Sequence, residues 1–146
     1  MLWIALVGYY VRYFADRVVT LKAIGTGLVG ADPQFKIDGG ELMRGQELLG
    51  EIELNATGSD LFDEDLGSKI AELERVASPA AHHAIQRLRG TQAIVTLHVL
   101  DGARDPEVTW DLLAPLWSVL PALSTGLTHS EGQGFFDGSE LVVALA

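Results

Sequence analysis

Residues 91–100, Thr91-Gln92-Ala93-Ile94-Val95-Thr96-Leu97-His98-Val99-Leu100, constrain this chain more than any other stretch. In extended backbone, successive side chains point to opposite faces. Ala93, Val95, Leu97 and Val99 therefore share one face, and Ile94, Thr96, His98 and Leu100 share the other. Both sets are substantially apolar, so the strand belongs inside a sheet and needs cover on each side. Residues 50–56 behave differently. Ile52 and Leu54 turn inward while Glu51, Glu53 and Asn55 turn to water, which describes a strand with one wet face. Helices separate these two strands in sequence, and a right-handed parallel crossover follows if they are neighbours.

The helices between them announce their starts. Asp60-Leu61-Phe62-Asp63-Glu64-Asp65 lacks the acid–glycine–glutamate layout of a calcium loop. Its carboxylates suit the first turn of a helix, where they oppose the positive end of the helix dipole. Leu66, Ile70, Leu73 and Val76 then form an apolar stripe. Ser78-Pro79 restarts the helix as cap and first helical residue, Ala81, Ile85 and Leu88 make its buried face, and Gly90 stops it. His82 and His83 are consecutive, so they diverge by about 100° around that helix and read as surface or boundary residues.

Downstream, Asp105-Pro106 starts a helix over residues 108–120 with an unusually wide apolar arc. Val108, Leu112, Leu116 and Val119 occupy one side of it, and Trp110, Leu113, Trp117 and Leu120 the adjacent side, with Pro115 expected to kink it. Core burial is the first expectation for the tryptophans and contact with another chain the second.

Upstream, residues 2–14 fit a strand with Trp3, Ala5, Val7, Tyr9 and Val11 on one side, or a helix through Leu6, Tyr10, Phe14 and Val18. A short helix over residues 15–24, stopped by Gly25, is expected next, followed by a glycine-rich connection and a short strand at residues 34–37. Gly25, Gly27 and Gly30 match G-x-G-x-x-G literally, but Asp32-Pro33 stands where a dinucleotide-binding helix would have to run.

A chain of 146 residues fits a single domain over residues 1–146. Twenty acids against ten Lys plus Arg leave a net charge of −10, which repels phosphate backbones and argues against nucleic acid as a partner. The absence of cysteine excludes disulfides, thiolate metal sites and cysteine nucleophiles, and accords with a cytoplasmic setting. Residues 1–7 are apolar, but charged residues from Arg12 onward break the run short of the ~20 residues of a membrane span. A buried element is expected there, with no signal or anchor.

Material for chemistry is sparse. His98, His129 and Glu131, with Asp101, Asp105 and Glu107, are the candidates for a catalytic or metal site. No nucleophile elbow, His-Glu-x-x-His or Walker sequence accompanies them, so no metal and no cofactor is assigned. At the C-terminus, Asp137-Gly138 joins Gly134-Phe135-Phe136 to residues 140–145 as a hairpin. Gly132 and Gly134 mark a bulge or a close backbone approach beside which a ligand could lie.

The pattern Pro115-Leu116-Trp117, Gly126-Leu127, Glu131-Gly132-Gln133-Gly134-Phe135-Phe136-Asp137 resembles that of uncharacterised bacterial α+β domains with ferredoxin-like sheets. The resemblance covers the last third of the chain and implies a fold, with no activity attached. The expected architecture is α+β: a mostly antiparallel, mixed sheet with the helices of residues 66–89 and 108–120 on one face. The expected function is non-catalytic binding of a protein partner or a second copy as a homodimer. Trp110, Trp117, His98, His129, Glu131, Gly132, Gly134 and Phe135 are the candidate binding residues. The rival expectations are a small-molecule pocket between sheet and helix, an immunity-type inhibitor whose acidity matches a basic toxin, and a metal-dependent hydrolase.

Overall fold

A computed structural model describes residues 8–145. The expectation of a buried element at residues 1–7 lies outside them. From Tyr9 the strand reading holds: β1 spans Tyr9–Ala15. Helix α1 follows at Leu21–Ala31, then strands β2 (Phe35–Asp38), β3 (Glu41–Arg44) and β4 (Glu47–Ala56). Helices α2 (Asp60–Val76) and α3 (Pro79–Leu88) lead to β5 (Ala93–Val99). Helices α4 (Pro106–Leu112) and α5 (Ala114–Leu123) lead to β6 (Gly126–Ser130), β7 (Gly134–Asp137) and β8 (Glu140–Ala144). The eight strands form one antiparallel sheet in the order β2-β3-β4-β5-β1-β6-β7-β8. The chain is an α+β protein.

The doubly apolar strand β5 sits centrally between β4 and β1, and all of Ala93 to Leu97 is buried. Its pairing with β4 is antiparallel, which corrects the expected parallel crossover. Two helices in series carry the chain out along the sheet and back, so β5 begins where β4 ended and Ala93 faces Ala56. Serine capping explains the sharp entries: the Ser59 hydroxyl accepts from the Phe62 N–H, and that of Ser78 from the Ala81 N–H, each at 3.1 Å.

Helices cover both faces of the sheet, not the single face expected. Val11, Tyr13 and Ala15 of β1 and the odd-numbered residues of β5 pack with Ile24 and Leu28 of α1 and Leu116 and Leu120 of α5. Phe14 and Ile94 lie on the other side, with Phe62 and Leu73 of α2 and Ile85 and Leu88 of α3. A strand apolar on both sides cannot be satisfied by one helical layer. Within the sheet, β4-β5-β1-β6 are linked so that β1-α1 leads on toward β4 and β5-α4-α5 leads to β6, each pair flanking one intervening strand. Each is a split β-α-β connection. The β2-β3 hairpin, the β7-β8 hairpin and the α2-α3 layer are additions around them.

The glycine-rich segment is helix, not connection. Thr20 caps α1 by accepting from the Ala23 N–H, and the helix runs through Gly25, Gly27 and Gly30. A Cβ on Gly27 would lie 2.8 Å from the Val119 side chain, so this glycine lets α1 close onto α5. Close helix packing accounts for it without a nucleotide. The helix expected to kink at Pro115 instead breaks at Leu113, and Pro115 occupies the first turn of α5.

Candidate functional site

The helix is interrupted at Leu113, and the two tryptophans, seven residues apart, meet across that interruption. Trp110 and Trp117 stack with ring centroids 4.5 Å apart and planes 28° off parallel. The indole Nε1–H of Trp117 donates to the Trp110 carbonyl at 3.2 Å, so the buried polar tip is satisfied. Both side chains are half-buried, resting partly on the core and partly open.

The open side faces a cleft of about 990 Å³ between this helical pair and the β1-β6-β7 part of the sheet. Strand alternation supplies the sheet side. Tyr9 and Tyr13 of β1, Thr128 and Ser130 of β6, and Phe136 of β7 line it. The register places Tyr13 beside Thr128 and Thr128 beside Phe136, so these three form one row across neighbouring strands. Leu120 and Pro121 of α5 and the turn at Gly132-Gln133 add to the lining.

Burial raises the hydroxyl pKa of Tyr9 to about 12, with Asp101 adding to the effect. Tyr13 is likewise raised to about 12, mainly by burial, and its hydroxyl donates to the Ser124 carbonyl. Both phenols therefore stay neutral at ordinary pH. Ser130 is only 2 % exposed and borders the cleft. Four carboxylates, Glu107, Asp111, Glu131 and Asp137, stand around the cleft with one guanidinium, Arg87. Arg87 is already engaged, at 3.0 Å from Asp137 and 4.0 Å from Asp16.

The expected site residues divide between the two faces. Trp110, Trp117, Glu131 and Gly132 line the cleft. His98, His129 and Phe135 lie on the α2-α3 side. His98 is half-buried and stacks on Tyr10 at 4.5 Å. His129 is 4 % exposed, lies 4.9 Å from the Phe135 ring, and has a buried Nδ1 without a partner among the described residues. Burial first, then the nearby cations Lys69 and Arg12, lowers the His129 pKa to about 4. Phe135 is wholly buried in the second core. Gly134, at φ +132°, is a close approach between β7 and β8, since a Cβ there would meet the Val143 carbonyl oxygen at 2.1 Å.

The candidates His98, His129 and Glu131 are not brought together as ligands of one metal ion. His129 pairs with Arg12 and His98 with Tyr10, so β1 separates the imidazoles and sets a guanidinium beside one of them. Among the described residues, no three histidine or acidic side chains group as a metal site would need. None of His82, His83, His98 and His129 reaches the cleft. Tyr9, Tyr13, Thr128, Ser130 and Phe136 were not foreseen as cleft residues. Their signal was present as odd–even alternation, Tyr9 with Val11 and Tyr13 and Phe136 opposite Phe135, but alternation cannot reveal that a face is left partly uncovered.

No family model matches the chain, and neither does any curated protein or solved structure. No helix among the described residues is long and apolar enough to cross a membrane.

Proposed function

We propose that this chain binds a small, largely apolar ligand in the cleft between α4-α5 and β1-β6-β7 and does no chemistry on it. The observation carrying this reading is the convergence of five aromatic side chains, from one strand each of β1 and β7 and from two helices, on a single cleft of about 990 Å³. That volume is at the upper end of ordinary ligand sites, which combine apolar walls with a few polar groups. The tryptophans turn toward the sheet of their own chain, which favours a small ligand over the protein-partner and homodimer readings. Binding is favoured over catalysis because no imidazole among the described residues lines the cleft with the Ser130 hydroxyl. The imidazole next in sequence, His129, projects to the opposite face by strand alternation.

The test uses N-phenyl-1-naphthylamine, a neutral dye whose emission rises in apolar surroundings. Saturable binding near one dye per chain is expected, weakened about tenfold or more by Trp110→Ala or Phe136→Ala. His98→Ala, on the far side of the sheet, should leave it unchanged. Non-saturable binding, or equal binding by all variants, would remove this reading.

A further inference from the structure

The charge around the cleft narrows the ligand class. We infer that the cleft takes an organic cation, an ammonium group carried on an aromatic or branched apolar body; this rests on the cleft being the binding site. Among the described residues, four carboxylates and one guanidinium border it, a formal balance of −3. The single cation offers little to an anion, because Arg87 is held by Asp137 at 3.0 Å and lies 4.0 Å from Asp16. Asp16 is further fixed by the Thr125 hydroxyl, which donates to it at 2.7 Å.

The aromatic lining points the same way. Trp, Tyr and Phe rings attract a cation through their negative faces, Trp most strongly. Tyr9 and Tyr13 keep their protons, so the sheet side contributes neutral rings and not phenolates. Ser130, almost wholly buried at the cleft wall, offers a hydroxyl as an orienting polar contact. A phosphate or carboxylate ligand would face the four acids without a free counter-charge. A neutral apolar ligand would gain from the rings but nothing from the acids. The net charge of −10 on the whole chain adds long-range attraction for a cation.

Three probes with one body decide it in calorimetric titrations of the full chain at low ionic strength: (2-naphthylmethyl)trimethylammonium, 2-naphthalenemethanol and 2-naphthylacetate. The ammonium probe is expected to bind about tenfold tighter than the alcohol, and the carboxylate weaker than both. The triple variant Glu107→Gln, Asp111→Asn, Glu131→Gln should remove most of the ammonium's advantage and leave the alcohol's affinity in place. These acids are exposed, so their amides should leave folding intact. If the alcohol binds and the ammonium is no tighter, or the carboxylate is tightest, the cation inference fails while the cleft reading stands. If none of the three binds, both fail.

Discussion

The two faces of the β1-β6-β7 segment differ although the same strands build both. On the α2-α3 side, Phe14, Leu127, Phe135 and Val143 meet Ile85 and Leu88, and the layer closes over them. On the opposite side, Tyr9, Tyr13, Thr128 and Phe136 meet a helical pair that leaves about 990 Å³ open. Consecutive residues thus have opposite roles: Phe135 is core and Phe136 is wall, His129 is sealed and Ser130 borders the cleft. Strand chemistry is similar on both sides, so the difference lies in how far each helical layer extends over the sheet. Packing makes one face stable, and its incompleteness makes the other available.

The sharpest test of that contrast is the phenylalanine pair. Phe135→Ala removes a wholly buried ring that lies 6.0 Å from Phe14 and should cost about 3–5 kcal/mol in denaturant unfolding. Phe136→Ala should cost about 1 kcal/mol or less, since its ring is only half-buried, while weakening dye binding. Equal losses for the two would erase the distinction between the faces.

Next in size is a pH effect confined to the sealed side. His129 has a folded-state pKa lowered from 6.5 to about 4, so between those values the unfolded chain takes up a proton that the folded chain does not. The stability it contributes is complete above about pH 6.5 and is lost as pH falls toward 4. Carboxylates titrate there too, so the readout is the difference between the wild type and His129→Leu. The wild type should lose about 2–3 kcal/mol relative to the variant between pH 7 and pH 4. A constant difference would show that the imidazole is not sealed. At neutral pH the variant should hold its own or gain slightly, because it removes the unpartnered Nδ1.

The smallest expected effect belongs to the open side. Glu131→Gln should change unfolding free energy by less than about 0.5 kcal/mol, since the carboxylate is exposed and its contact with the Tyr10 N–H is long, at 3.4 Å. The same substitution should weaken the ammonium probe and leave the neutral alcohol unaffected.

Much of this could be read along the chain. Alternation marked β5 as central and identified the inward side of β4. Ser78 sits where α3 begins, whereas the cap of α2 is Ser59, just ahead of the acids expected to cap it, and the terminal hairpin turns at Gly138-Ser139, one residue beyond the expected Asp137-Gly138. These are local matters, set by backbone sterics and by hydrogen bonds spanning a few residues. Helix α1 was misplaced for the same reason. Its glycines weaken helix propensity locally, and the contact with Val119 of α5 that explains Gly27 is tertiary.

Which side each helical layer takes was decided by tertiary structure alone. A strand apolar on both faces does not label them, so residues 66–89 and 108–120 could be assigned to one side with no local contradiction. The direction of β5 relative to β4 was also non-local, fixed by a helical pair returning the chain to its starting end. The cleft is the furthest from the sequence. It depends on the break at Leu113 that stacks Trp117 on Trp110, and on how much of the β1-β6-β7 surface that pair then covers. Side-chain period tells which residues share a face, whereas burial depends on what arrives from elsewhere in the chain.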